Sequence, residues 1–141
     1  MCYNIHDMKY NFLAVLFFSL LFFLVANTFF SQPGTTVQLF EKDNGGEVYL
    51  NVNDYVVITL ETNPSTGYNW EIKRVNPLML KQTAPPQLIT KNKLIGSPGQ
   101  IKFTFKAIAP GSCELAFDYR RPWDLRTDET RGYKLSFLIK Q

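Results

Sequence analysis

The sequence Tyr55-Val56-Val57-Ile58-Thr59-Leu60-Glu61-Thr62-Asn63-Pro64-Ser65-Thr66-Gly67-Tyr68-Asn69-Trp70-Glu71-Ile72 decides the fold. Val56, Ile58 and Leu60 fall on one side of an extended chain, and Tyr68, Trp70 and Ile72 share a side after the break, as half-buried strands require. Between the two runs, Asn63-Pro64-Ser65-Thr66-Gly67 is turn chemistry. Pro64 fixes φ and pushes Asn63 toward an extended conformation. Gly67 can take the positive φ of a sharp exit into the next strand. Ser65 and Thr66 can bond their own backbone or present hydroxyls outward. This short, stiff, polar loop is either an ordinary connection or the tip of a binding surface, and five residues do not separate the two.

Working outward, the same period of two recurs on both sides. Val37 to Glu41 and Glu47 to Val52 read as strands around a turn at Asp43-Asn44-Gly45-Gly46. Residues Asn76 to Asn92 read as an edge strand broken at Pro85-Pro86, because proline is tolerated at sheet edges. Gly96-Ser97-Pro98-Gly99 is a second loop. Gln100 to Ala107 follows, with Ile101, Phe103 and Phe105 on one face. After a turn at Ala109-Pro110-Gly111, Ser112 to Tyr119 places Cys113, Leu115, Phe117 and Tyr119 on one face. A third, charged loop opens with Arg120-Arg121-Pro122-Trp123 and runs to Gly132. Tyr133 to Ile139 closes the chain. Seven or eight short strands without a helical period predict an all-β, immunoglobulin-like antiparallel sandwich. In such a sandwich the three loops can gather at one end.

The first residues belong to something else. Lys9 precedes an apolar run from Phe12 to Ala26, followed by small and polar residues, and 7 of the 12 phenylalanines lie at or before position 30. This is the pattern of a secretory signal peptide over residues 1–31, cleaved after Ala26 or Ser31. The run is also close to the length of an uncleaved anchor. Residues 32–141 then form one domain of ordinary size. The 141-residue chain carries a net charge of +3, which suits an acidic partner surface, but no basic run points to nucleic acid.

Composition excludes most enzyme chemistry. The one histidine, His6, lies in the leader, and residues 32–141 hold one cysteine, Cys113. Such a domain cannot assemble a Ser-His-Asp or Cys-His arrangement, nor a histidine or thiolate zinc site, and no phosphate-binding glycine loop opens a helix. We therefore expect no enzyme, no metal and no cofactor. Asp118, Asp124, Asp128 and Glu129 are interleaved with Arg120, Arg121, Arg126 and Arg131, as in a solvated charge network. Cys113 reads as a buried free thiol. Trp70 reads as a core anchor. Trp123 either packs back onto the domain or is presented by Pro122 as an interface residue, since Trp and Arg dominate interface energetics.

Three features in order, Asn63-Pro64-Ser65-Thr66-Gly67-Tyr68-Asn69-Trp70, the glycine-containing turn at Gly96–Gly99, and Arg121-Pro122-Trp123, resemble the chagasin family of cysteine peptidase inhibitors over residues 36–141. Ser65 stands where the family most often has threonine, and Pro98 interrupts its Gly-x-Gly-Gly pattern. The resemblance implies a monomeric, uncleaved inhibitor of papain-like, cathepsin-like cysteine peptidases. It implies that Asn63, Pro64, Ser65, Thr66 and Gly67 cover the catalytic groups. Gly96, Ser97, Pro98 and Gly99 on one side, and Arg121, Pro122 and Trp123 on the other, would brace the walls of the cleft. It also implies a protein of the secretory pathway, secreted or held in lysosome-like or phagosomal vesicles, free of membrane once the leader is removed. A non-inhibitory adhesion or receptor module on the same sandwich is the alternative.

Overall fold

The computed structural model describes residues 33–90, 96–124 and 131–141. The leader and residues 125–130 of the third loop, with Arg126, Asp128 and Glu129, lie outside the described residues. The strands are β1 (Thr36–Phe40), β2 (Glu47–Asn51), β3 (Tyr55–Thr62), β4 (Asn69–Arg74), β5 (Leu80–Thr90), β6 (Gly99–Ala107), β7 (Gly111–Arg120) and β8 (Arg131–Lys140). They form two four-stranded sheets, ordered β1-β3-β6-β5 and β2-β8-β7-β4.

The core follows from the alternation. Val56, Ile58 and Leu60 of β3 are fully buried, as are Phe105 and Ala107 of β6 and Leu115 of β7. The sheets meet through aromatic rings: Phe117 of β7 lies 4.7 Å from Phe103 and 6.3 Å from Phe105. Trp70 is 5 % exposed, and its indole N–H donates to the Glu61 carbonyl at 2.9 Å, so the large ring is buried without orphaning its polar edge. Cys113 is a free, half-buried thiol at the rim of the core. Burial pushes its pKa up, which disfavours the reactive thiolate.

The structure adds three features to the expected pattern. The inner pairings are antiparallel, but β1 runs parallel to β3 and β2 parallel to β8. The reason lies in residues 41–46. Instead of closing a hairpin, this connection crosses between sheets: Gly45 N donates to the Lys134 carbonyl at 2.7 Å, and Lys134 N to Asn44 Oδ1 at 2.8 Å. Secondly, β5 is an edge strand as expected, but Pro85-Pro86 bulges it rather than breaking it. Its pairing with β6 shifts between Gln82 and Ala84 and again between Ala84 and Gln87, then resumes to Thr90. An edge strand keeps one side free of the ladder, so prolines cost it little.

The third addition is Asp54, in the turn before β3. It is 5 % exposed, and its carboxylate accepts from Thr35 N (2.7 Å), Thr35 Oγ1 (3.0 Å) and Asn51 N (2.7 Å). Burial alone would raise its pKa, but these three bonds outweigh burial and hold the carboxyl below its usual range. Asn53 before it has φ 82°, a left-handed position that asparagine tolerates. Around it, Asn53 N donates to the Ala107 carbonyl (2.8 Å), Ala107 N to the Asp54 carbonyl (2.9 Å) and Ile108 N to the Met79 carbonyl (2.8 Å). This end of the sandwich is closed by its own backbone.

Candidate functional site

At the opposite end, three connections meet. Thr62 of β3 pairs with Gly99 of β6, and Asn69 of β4 pairs with Arg120 of β7. The ladders therefore deliver residues 63–68, 96–98 and 121–124 to the same edge.

The central loop is a single 3-10 turn, Pro64–Thr66. Asn63 precedes it in extended conformation (φ −132°) and caps it: its Oδ1 accepts from Ser65 N at 3.3 Å and from Ser65 Oγ at 2.6 Å. Asparagine at the cap and proline at the first helical position are the residues such a turn favours. Thr66 N (3.1 Å) and Thr66 Oγ1 (2.7 Å) both donate to the Asn63 carbonyl. Gly67 ends the turn at φ 78° and donates to the Pro64 carbonyl at 3.2 Å. Of the two options open to Ser65 and Thr66, local bonding or outward hydroxyls, the structure takes local bonding. Both protons are spent inside the loop, and Thr66 Oγ1 also accepts from Tyr68 N at 3.4 Å, so these exposed hydroxyls keep only acceptor capacity for solvent.

The neighbouring loops are fastened to this one. Asn63 Nδ2 donates to the Gly96 carbonyl at 3.3 Å, and Arg121 Nε to the Thr66 carbonyl at 3.1 Å. The Arg121 guanidinium also lies 4.6 Å from the centre of the Tyr68 ring. Beneath the loops, Tyr119 stacks on Tyr68 at 5.4 Å, leans on Trp70 at 5.0 Å, and accepts from Asn63 N at 3.1 Å through its hydroxyl. Arg131 covers Trp70 and Tyr119 at 5.3 and 5.5 Å and pairs with Glu41. The sequence reading passed over the roles of Asn63, Tyr68, Tyr119 and Arg131 as supports. The signal for Asn63 was present, since Asn-Pro at the start of a turn is a capping pattern. The aromatic pair and Arg131 come together only through the β4–β7–β8 pairing.

The remaining expected residues divide. Pro64, Ser65, Thr66, Gly96, Pro98, Pro122 and Trp123 are exposed. Gly99 is instead the buried first residue of β6, since Thr62 and Thr90 pair with it from both sides and leave no freedom for a loop tip. Trp123 lies between packed and free. Its indole is 70 % exposed, yet one edge rests on the central loop: a Cβ at Gly67 would sit 2.6 Å from Cη2 of Trp123. The charges next to the third loop pair outward to other strands, Arg120 with Glu71 at 2.8 Å and Asp118 with Lys73 at 3.0 Å. Each of these two acids is thus set against a base.

The chain is similar to amoebiasin-2 of Entamoeba histolytica, with 28 % identity over 103 residues that make up 72 % of this chain and 84 % of the relative. The crystal structure of EhICP2, a cysteine protease inhibitor from Entamoeba histolytica, superposes with a TM-score of 0.68 at 25 % identity, covering 75 % of this chain and 96 % of the other. PbICP-C, solved in complex with falcipain-2, shares the fold with a TM-score of 0.51 at 22 % identity, covering 76 % of this chain and 92 % of the other. The family model described as Chagasin family peptidase inhibitor I42 matches residues 49–137. The chain belongs to the chagasin family of peptidase inhibitors. That stretch holds all three loops and both ladders that carry them. The immunoglobulin-like sandwich is thus the family's fold, and the protein is an inhibitor rather than an enzyme.

Proposed function

We propose that the loop end is the surface that contacts the peptidase, and that the protein is a reversible, uncleaved inhibitor of papain-like, cathepsin-type cysteine peptidases. The observation that carries this reading is the closed form of residues 63–67. A peptidase cleft takes an extended strand, whereas here five residues are curled into a turn that bonds to itself. The Ser65-Thr66 bond is held away from an extended geometry, so the tip fills a cleft without offering a bond to cut. The outward oxygens of Ser65 and Thr66 accept from donors in the cleft, so those donors keep partners on losing water. Pro64 and Gly67 fix the backbone, and the ties to Gly96 and Arg121 hold the three loops together before binding, so little ordering entropy is lost on docking. Trp123 supplies apolar area on one flank. Kinship supports the same target class, since one relative is described as a cysteine protease inhibitor and another is bound to falcipain-2.

The leader pattern suits delivery through the secretory pathway, outside the cell or into lysosome-like or phagosomal vesicles, and the half-buried Cys113, whose thiolate burial disfavours, suits a monomer. Titration of papain with the purified protein tests the reading. Stoichiometric loss of activity with the inhibitor intact on a gel is expected. Cleavage within residues 63–67, or full papain activity at excess inhibitor, would overturn it.

A further inference from the structure

The outer faces of the two sheets carry charge differently. On the sheet β2-β8-β7-β4, acids and bases interleave: Lys73 meets Asp118 at 3.0 Å, Arg74 and Lys134 reach Glu114 at 2.8 and 3.6 Å, and Arg120 meets Glu71 at 2.8 Å. On the sheet β1-β3-β6-β5, Lys81, Lys102 and Lys106 alternate with buried Leu80, Phe103, Phe105 and Ala107, so all three stand on the solvent side. None of them forms an ion pair among the described residues.

Register sharpens the contrast. Lys81 lies directly opposite Lys106, and Lys102 lies opposite Thr59 and Gln87. Like charges paired across strands repel, and the strands of this sheet offer one acid, Glu61, level with Gln100 near the loop end. The Lys106 ammonium lies 5.4 Å from the centre of the Tyr55 ring. That contact offsets part of the repulsion at Lys106, and among the described residues no carboxylate pairs with any of the three lysines.

We propose that this face binds an extended polyanionic glycan, a sulfated or uronic-acid polysaccharide, independently of the loop end. Charge complementarity selects an anion. Lys102 and Lys106 are about 13 Å apart along β6 at the usual strand rise, which one small anion cannot bridge and a polymer can. Threonine hydroxyls of Thr59 and Thr104 and the Tyr55 ring lie between and beside the cations. Those groups suit sugar hydroxyls and ring faces; the exposed apolar side chains of this sheet, Phe40 on β1 and Leu88 and Ile89 on β5, lie on opposite edge strands rather than in the single apolar face a lipid surface takes.

The test is affinity of the full chain for heparin, used as the sulfated polysaccharide. The variant Lys81→Gln/Lys102→Gln/Lys106→Gln is compared with the charge-matched Lys73→Gln/Lys134→Gln/Lys140→Gln on the other sheet. The first is expected to lose about tenfold or more in affinity, as removal of several phosphate-type contacts to a polyelectrolyte does. The second should lose much less, and thermal melts should show both folded. The corresponding triple Lys→Arg variant is expected to keep binding, which separates lost charge from a disturbed sheet. Equal losses from both Gln variants would overturn the proposal. So would absence of heparin binding by the parent, or binding to phosphatidylserine vesicles in its place. Peptidase inhibition by the Lys81/Lys102/Lys106 variant is expected to stay unchanged, so this proposal and the inhibitor reading fail separately.

Discussion

The two ends of the sandwich differ in the length of their connections, tight turns at one and longer loops at the other, and they spend their polar groups differently. At the end built on Asn51–Asp54 and Ala107–Gly111, backbone groups bond between strands and the Asp54 carboxylate is buried with three donors. At the other end, the bonds run within one loop or between loops, and Pro64, Ser65 and Trp123 stay exposed. The first end closes the fold. The second is held in shape by bonds that leave its outer surface unused. On the proposed reading, stability and recognition are carried mainly by opposite ends, and most substitutions should move one quantity far more than the other.

The strongest way to break that division is to scramble Asn63–Gly67 while keeping its length. We expect binding to a papain-like peptidase to weaken by about 4 kcal/mol, within the range of central hot spots, against a stability loss of only about 1 kcal/mol from strain where Gly67 holds φ 78°. Inhibition that survives the scramble would end the division. At the opposite end, Asp54→Ala strands the Thr35 and Asn51 donors, and a cost of about 3 kcal/mol in chemical denaturation is expected. The inhibition constant of the remaining folded protein should not change.

A finer probe is Trp123→Ala. Its indole is mostly in solvent, so stability should shift by less than about 0.5 kcal/mol, while binding weakens by about 2 kcal/mol. A folded variant of undiminished potency would remove Trp123 from the surface. Gly67→Ala sharpens the comparison further, because it strains one loop and displaces another. Alanine at φ 78° costs about 1 kcal/mol, and its Cβ pushes the Trp123 ring away, so a modest loss is expected in both stability and affinity. The smallest effect is a slope with pH. Asp54 has a lowered pKa in the folded state, so its stabilisation is present above the ordinary carboxyl range near pH 4 and is lost as pH falls through the folded value. Acid titration of unfolding should therefore show a stability loss that is missing in Asp54→Asn.

The core and the closed turn were legible because they rest on local chemistry, and the inhibitor reading came from the family resemblance that the three motifs carry together. Alternation placed Val56, Ile58, Leu60 and Trp70 in the core, and Asn63-Pro64 with Gly67 announced a closed turn. Other features depend on residues far apart in the chain. The parallel pairing of β1 and β2 follows from Gly45 reaching Lys134, and nothing between residues 41 and 46 announces that partner. Pro85-Pro86 suggested a break, but an edge position turned it into two bulges. Asp54 looked like a turn residue, and its burial arises from Thr35 folding over it. Similarly, the hydroxyls of Ser65 and Thr66 were free to point either way until the cap geometry claimed their protons. Gly99 shows the same limit, since its place in β6 is fixed by Thr62 and Thr90.

Hydrogen exchange on the inhibitor alone and in complex with papain measures the division of labour directly. The account predicts new protection confined to amides of residues 63–68, 96–98 and 121–124, with residues 51–54 and 107–111 exchanging as in the free protein. Protection at Asn51–Asp54 and Ala107–Gly111, or spread over the outer face of either sheet with the three loops unchanged, would contradict it.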